Sequence, residues 1–262
     1  MRLAVAATAP FGADVLERLA ATHEVAFLLT RPDAPRGRGR QLAPPPAKET
    51  AERLGIAVHQ PGKPELPAGV SFDAVVVCAY GLLIPRSLLD QALWLNVHPS
   101  LLPRWRGAAP VERTILAGDE ETGVTIHETV EALDAGPIAA QESFAIAPED
   151  DAGSVFARSA EVAARLLDSV LPAPSFTPQP VEGATYADKI GPADRELDLG
   201  DPLDAWRRVR ALSPHIGAWA ILHGRRVTIW RARLDGGEFV PVEVQPEGRR
   251  PMAYDEFLRG VR

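Results

Sequence analysis

Apolar positions along this chain alternate between two spacings. Residues 2–8 form a short, mostly apolar run, the pattern of a buried strand. Over 11–21, Val15, Leu16 and Leu19 share one helical face. Residues 25–29 return to a strand, 30–46 form a long proline-rich loop, 48–54 return to a helix and 56–59 to a short strand. The run 74–79 is continuously apolar, which suits a strand covered on both faces, and 93–98 follow as another. Residues 123–130 and 138–146 have strand character on either side of a turn at 131–137. Ser154 is placed as the N-cap of a helix in which Val155, Val162, Leu166 and Val170 recur at helical spacing, with the small Ser159 on the same face. Strands alternating with helices predict an α/β fold with a doubly wound, mostly parallel, Rossmann-like sheet.

Beyond residue 170 the pattern changes. Residues 171–183 are rich in proline and small polar residues, as a linker is. Residues 202–212 are helical in pattern, with Trp206 among Arg207, Arg208 and Arg210. The runs 219–222, 225–233 and 239–244 look like antiparallel strands, and 253–259 close with a short helix. The expected organisation is a large domain over 1–170, a linker over 171–189 and a small β-barrel-like domain over 190–262.

Composition narrows the class. The chain has 262 residues, 46% of them apolar, so a sizeable core is available. Its formal charge of −7 argues against a general nucleic-acid coat but leaves room for a local basic patch. Residues 190–262 carry twelve Arg against eleven Asp plus Glu, so this part is near neutral while the rest is acidic. The single cysteine, Cys78, sits in a strand-like run and excludes an intrachain disulfide. No apolar run is long enough to span a bilayer, and the opening residues fit a first strand better than a leader. Together these features point to the cytoplasm.

The candidate chemistry lies between residues 96 and 110. Asn96 and His98 stand two apart on an extended backbone, so both point to one face. An amide and an imidazole aimed at one spot stabilise an oxygen that turns negative during acyl transfer, and loss of one such donor costs roughly 3–4 kcal/mol of barrier. A nearby carboxylate would keep the imidazole protonated and oriented. Asp134 is the candidate, in the turn Leu133-Asp134-Ala135-Gly136-Pro137. It would also accept the proton of an attacking amine. By residue type alone, a turn aspartate more often bonds its own backbone.

Longer motifs add to this. Ser100-Leu101-Leu102-Pro103-Arg104-Trp105-Arg106-Gly107-Ala108-Ala109-Pro110 follows Asn96-Val97-His98. Together with Leu133-Asp134-Ala135-Gly136 it resembles the signature of the folate-dependent formyltransferases. The Arg-Trp-Arg-Gly-Ala-Ala-Pro run is similar to the branch that formylates methionine on initiator tRNA. Thr30-Arg31-Pro32-Asp33, Tyr80-Gly81-Leu82-Leu83-Ile84-Pro85, Glu121 to Ile126 and Thr185-Tyr186-Ala187 continue the likeness in order along nearly the whole chain. The resemblance implies catalysis by Asn96, His98 and Asp134. It implies 10-formyltetrahydrofolate as donor, held by Ser100, Leu101, Leu102 and Pro103 and by Tyr80, Gly81, Leu82, Leu83 and Ile84. It implies initiator methionyl-tRNA as acceptor, met by Arg36, Arg38, Arg40, Arg104 and Arg106. Neither a metal nor NAD is implied, nor DNA or a membrane, and a monomer is expected.

Some residues depart from the pattern. Ala7-Thr8-Ala9-Pro10 replaces the family's usual first turn. The C-terminal part is short, as though a pair of strands were missing after Gly236-Gly237. His127 fits the purine and sugar branches better, although a satisfied strand histidine is its plainer reading. Two other functions therefore stand beside the first: N-formyl transfer to a nucleotide-linked amino sugar, and folate or tRNA binding without turnover.

Overall fold

The chain opens with β1 (Arg2–Ala7), α1 (Pro10–Thr22) and β2 (Glu24–Leu29). It continues through a short hairpin, β3 (Ala34–Arg36) and β4 (Gln41–Ala43), to α2 (Pro46–Arg53) and β5 (Val58–His59). Next come β6 (Ala74–Cys78), α3 (Arg86–Leu89), β7 (Trp94–His98), β8 (Arg106–Gly107) and α4 (Pro110–Ala117). Then follow β9 (Glu121–Glu128), β10 (Ile138–Ala145), α5 (Ala152–Val170) and β11 (Tyr186–Ala187). The C-terminal part holds α6 (Pro202–Leu212), β12 (Ala218–Leu222), β13 (Arg225–Asp235), β14 (Glu238–Pro246), β15 (Met252–Ala253) and α7 (Tyr254–Arg259). This computed structural model describes residues 1–36 and 41–261.

Two compact units result. One comprises Met1–Arg106, Gly123–Ser143 and Ala157–Thr185; the other comprises Gly107–Thr122, Phe144–Phe156 and the chain from Tyr186 onward.

The first unit is built on a sheet of order β10-β9-β7-β6-β1-β2-β5. Neighbours from β5 across to β7 are parallel, and β9 joins β7 antiparallel. Parallel strands covered on both faces must be apolar throughout, and every residue of β6 is buried. The chain leaves β1 towards β2 and returns on the other side at β6, so strand order reverses there. Ligands of such sheets gather beyond the carboxyl ends of the strands near that reversal. Trp94 anchors the start of β7, its indole N–H donating to the Leu88 carbonyl at 3.0 Å. Proline opens α1, α2 and α4, where its missing N–H would have had no helical partner.

In the second unit Val111, Ile115, Val155, Val209, Leu212, Ile229, Val244 and Phe257 form one buried cluster. The expected barrel-like module takes the form of a four-stranded antiparallel sheet, β12-β13-β14-β15. Its two long hairpins turn on two residues each, His223-Gly224 and Gly236-Gly237. All four have positive φ, which type I′ turns require. The chain therefore passes from β13 to β14 directly at the place where a strand pair was expected to be missing.

Two local expectations change. The segment 30–46, expected as a loop, contains the β3–β4 hairpin. Ser154 is not the N-cap of α5. Asp151 is: its carboxylate accepts from the Ser154 N–H at 2.9 Å, while the Ser154 hydroxyl accepts from the Asp151 N–H at 3.1 Å. This is a reciprocal capping box. Among the described residues no helix is long and apolar enough to cross a membrane.

Candidate active site

The carboxyl end of β7 carries Asn96 and His98 on one face. On β9, Asn96 stands opposite His127 and His98 opposite Thr125. Cross-strand partners share a face, so four polar side chains collect there. The turn after β9 brings Asp134 to the same place.

The distances define a network. The Asn96 side-chain amide donates to Asp134 Oδ1 at 3.1 Å and to His127 Nε2 at 3.0 Å. His127 Nε2 can accept because its Nδ1 donates to the Glu128 carbonyl at 2.8 Å. His98 Nε2 donates to the Trp105 carbonyl at 2.8 Å, which leaves Nδ1 facing Asp134 Oδ2 at 3.7 Å. That gap exceeds a hydrogen bond but suits an ion pair when the ring is protonated. His98 and Asp134 are 4% and 8% exposed, so these charges act in a poorly screened pocket.

The protonation of His98 departs from the sequence-based expectation. Burial holds its imidazole below the ordinary value, opposed by the Asp134 carboxylate and the Trp105 carbonyl, while His127 pushes further down. The expected carboxylate is in place, yet desolvation wins. The ring rests neutral with its proton on Nε2, and Nδ1 is an acceptor.

The turn that delivers Asp134 is tightly built. Asp134 has φ 48°, the left-handed region that aspartate tolerates better than most residues. A Cβ on Gly136 would lie 1.8 Å from the Glu128 carbonyl oxygen, so only glycine fits there. The Gln179 amide donates to the Asp134 and Gly136 carbonyls at 2.8 and 2.7 Å, and its oxygen accepts from Arg106.

The other predicted site residues have varied surroundings. Ser100 is fully buried, its hydroxyl donating to the Arg104 carbonyl at 2.7 Å. Thr125 Oγ1 donates to the Ser100 carbonyl, accepts from the Leu102 N–H and receives a bond from Gln141. The backbone from Ser100 through Leu102 to Pro103 is thereby fixed, with a cis bond before Pro103, a buried Leu102 and a part-exposed Leu101. Tyr80 and Ile84 lie in the core cluster around Val77 and Trp94, Leu82 is part-buried against it, Gly81 is exposed and Leu83 is 77% exposed. The Tyr80 backbone carbonyl accepts from Thr8 Oγ1 at 2.9 Å. Arg104 is exposed and stacks over the Trp105 ring at 4.4 Å. Arg106 is part-buried against Gln179. Arg36 ends β3 with its side chain outside the described residues, and Arg38 and Arg40 lie outside them altogether. The segment leading to these arginines is pinned at Asp33, whose carboxylate accepts from Lys48 and Gln60.

His127 is a satisfied strand histidine, bonded both by Asn96 and by the Glu128 carbonyl. Sequence reasoning gave no role to three contributors: Thr125, Gln141 and Gln179. Thr125 lay inside the run Glu121 to Ile126, which carried the resemblance but no role, and Gln141 had no motif to mark it. Gln179 stood in a stretch that composition assigned to a linker.

Residues 1–171 match the sequence profile of a family described as "Formyl transferase". A methionyl-tRNA formyltransferase from Cereibacter sphaeroides is 40% identical over 294 residues, covering 99% of this chain and 96% of that protein. A methionyl-tRNA formyltransferase structure from Clostridium thermocellum has a TM-score of 0.65 at 14% identity, covering 94% of this chain and 98% of the other. The sugar 3N-formyl transferase WlaRD, solved with dTDP and 5-N-formyl-THF, has a TM-score of 0.66 at 14% identity, covering 90% and 86%. The last two are likenesses of fold.

Proposed function

This chain belongs to the formyltransferase family, and we propose that it formylates the α-amine of methionine carried by initiator tRNA, with 10-formyltetrahydrofolate as donor. One observation carries the reading. Asn96, His98 and Asp134 converge within 3.1–3.7 Å at a strand end, in a chain 40% identical to a methionyl-tRNA formyltransferase over nearly its whole length.

The residues present fit the donor in kind. Backbone groups and aliphatic side chains of 80–84 and 100–103 suit a flat heterocycle with polar edges, and the buried Tyr80 hydroxyl has no hydrogen-bond partner among the described residues. When bound, the donor supplies an activated formyl carbon.

Asn96 and His98 flank the oxygen that becomes negative as the amine attacks. Asn96 has both amide hydrogens engaged, so it shares one of them with the oxyanion. Asp134 accepts the proton shed by the attacking nitrogen. His98, neutral at rest, receives that proton on Nδ1 and presents it to the oxyanion as a charged donor. The same proton then satisfies the departing nitrogen as the old carbon–nitrogen bond breaks. The new bond forms at the methionine nitrogen, and no proton is gained or lost overall.

Arg36, Arg38, Arg40 and Arg104 supply cations for the acceptor end of the tRNA. The enzyme acts as a monomer in the cytoplasm, where translation starts. The test offers purified protein 10-formyltetrahydrofolate with either charged initiator tRNA or nucleotide-linked amino sugars. Formyl-methionyl-tRNA as the sole product is expected. Sugar formylation alone, or no turnover with either acceptor, would overturn the reading.

A further inference from the structure

We infer that Arg106 and Gln179 are positioning residues that hold Asp134 in its working orientation. The inference rests on the reading of Asp134 as proton acceptor. Its structural content is independent of that reading.

Asp134 occupies left-handed backbone at φ 48°, and such conformations persist only where their surroundings hold them. The carbonyls on either side of Ala135 are both caught by one side chain. Gln179 Nε2 donates to the Asp134 carbonyl at 2.8 Å and to the Gly136 carbonyl at 2.7 Å. Gln179 Oε1 accepts from Arg106 Nε at 3.1 Å and from Nη2 at 2.6 Å. A guanidinium only donates and a carbonyl only accepts, so this amide can face only one way. Both its hydrogens and both its oxygen lone pairs are in use. The side chain is a rigid peg between Arg106 and the turn.

The neighbouring residue serves the other titratable group. Trp105, itself at φ 64°, aims its carbonyl at His98 Nε2. Its N–H is fixed by Thr185 Oγ1 at 2.9 Å. Two consecutive residues therefore set the acid–base pair: Trp105 orients His98 directly, and Arg106 orients Asp134 through Gln179. Arg106, expected from sequence to meet RNA, has an internal role.

Gln179 touches the backbone of the turn and not the reacting atoms, so its removal should act on turnover more than on binding. In Gln179→Ala, kcat should fall about 100-fold, as for a misplacement on the order of 1 Å. KM for either substrate should stay within about twofold. Arg106→Ala should show a similar kcat loss, and the double variant should be no worse than either single change, because both break one chain of contacts. Gln179→Glu is the sharper case. It still accepts from Arg106 but donates nothing to the turn, so it should be as slow as the alanine variant. Amide hydrogen exchange across residues 132–138 should quicken in Gln179→Ala, whatever the activity.

Normal kcat in Gln179→Glu, an Arg106→Ala defect confined to KM for tRNA, or unaltered exchange in the turn would each overturn the inference. Wild-type protein inactive on methionyl-tRNA would instead sink the functional reading, and the exchange result would still decide the role of Gln179.

Discussion

Replacing Asp134 by asparagine removes one charge and almost nothing else. Asparagine tolerates the left-handed backbone that this position adopts at φ 48°. Its amide oxygen can still accept the Asn96 N–H now held at 3.1 Å. A charge-assisted bond becomes a neutral one, a loss of about 1 kcal/mol. Freedom from burying a carboxylate offsets part of that. The melting temperature should therefore move by no more than about 4 °C. Catalysis should respond very differently. An amide cannot take the amine proton, and general-base catalysis is worth about 10²–10⁴ in rate, or about 2.7–5.4 kcal/mol of barrier. His98 also loses the neighbour that raises its proton affinity against burial, so it is charged still less readily. Single-turnover formylation of charged initiator tRNA, followed alongside thermal unfolding, measures both effects. A variant that folds normally and keeps a rate within a few-fold of wild type would refute the assignment of Asp134 as proton acceptor.

Two other outcomes follow from the same contacts. Thr125→Val keeps the shape but strips hydroxyl contacts from the Ser100 carbonyl, the Leu102 N–H and Gln141. It should cost about 3 kcal/mol in a denaturant titration and raise KM for the folate donor more than it lowers kcat. His98 makes stability depend on pH. Its folded value lies below 6.5, so between that lowered value and 6.5 the unfolded chain binds more protons than the folded one. Stability then rises with pH through this window and declines as acid is added. Urea unfolding from about pH 5 to about pH 7 should show a shallower slope in His98→Gln than in wild type, and equal slopes would contradict the burial argument.

The parts of this fold that could be read from sequence are those fixed by local spacing. The strand β6 is an uninterrupted apolar run, β1 is one after Arg2, β7 is apolar but for Asn96 and His98, and α5 shows its buried face in the spacing of Val155, Val162 and Val170. The hairpin β3–β4 has no apolar period, so nothing local marked it. Ser154 has the right chemistry for a cap, but Asp151 sits where the helix begins, and boundaries are weakly encoded. Asn96, His98 and Asp134 were accessible as motif residues. Their protonation was not, because it depends on how completely the ring of His98 is covered. The contacts of His127 with Asn96 and of Gln179 with the Asp134 turn were out of reach for a topological reason. His127 meets Asn96 through strand pairing across 31 residues, and Gln179 meets the Asp134 turn from 43 and 45 residues away. Neither separation leaves a periodic trace.

Cys78 closes the middle strand of the first sheet, fully covered, with burial pushing its thiol well above the ordinary value. A sulfur in that state reacts with alkylating reagents only after the strands around it part. As the sole thiol of the chain it is a ready-made stopwatch: the speed of its labelling times the opening of the sheet from within, without a probe having to be introduced.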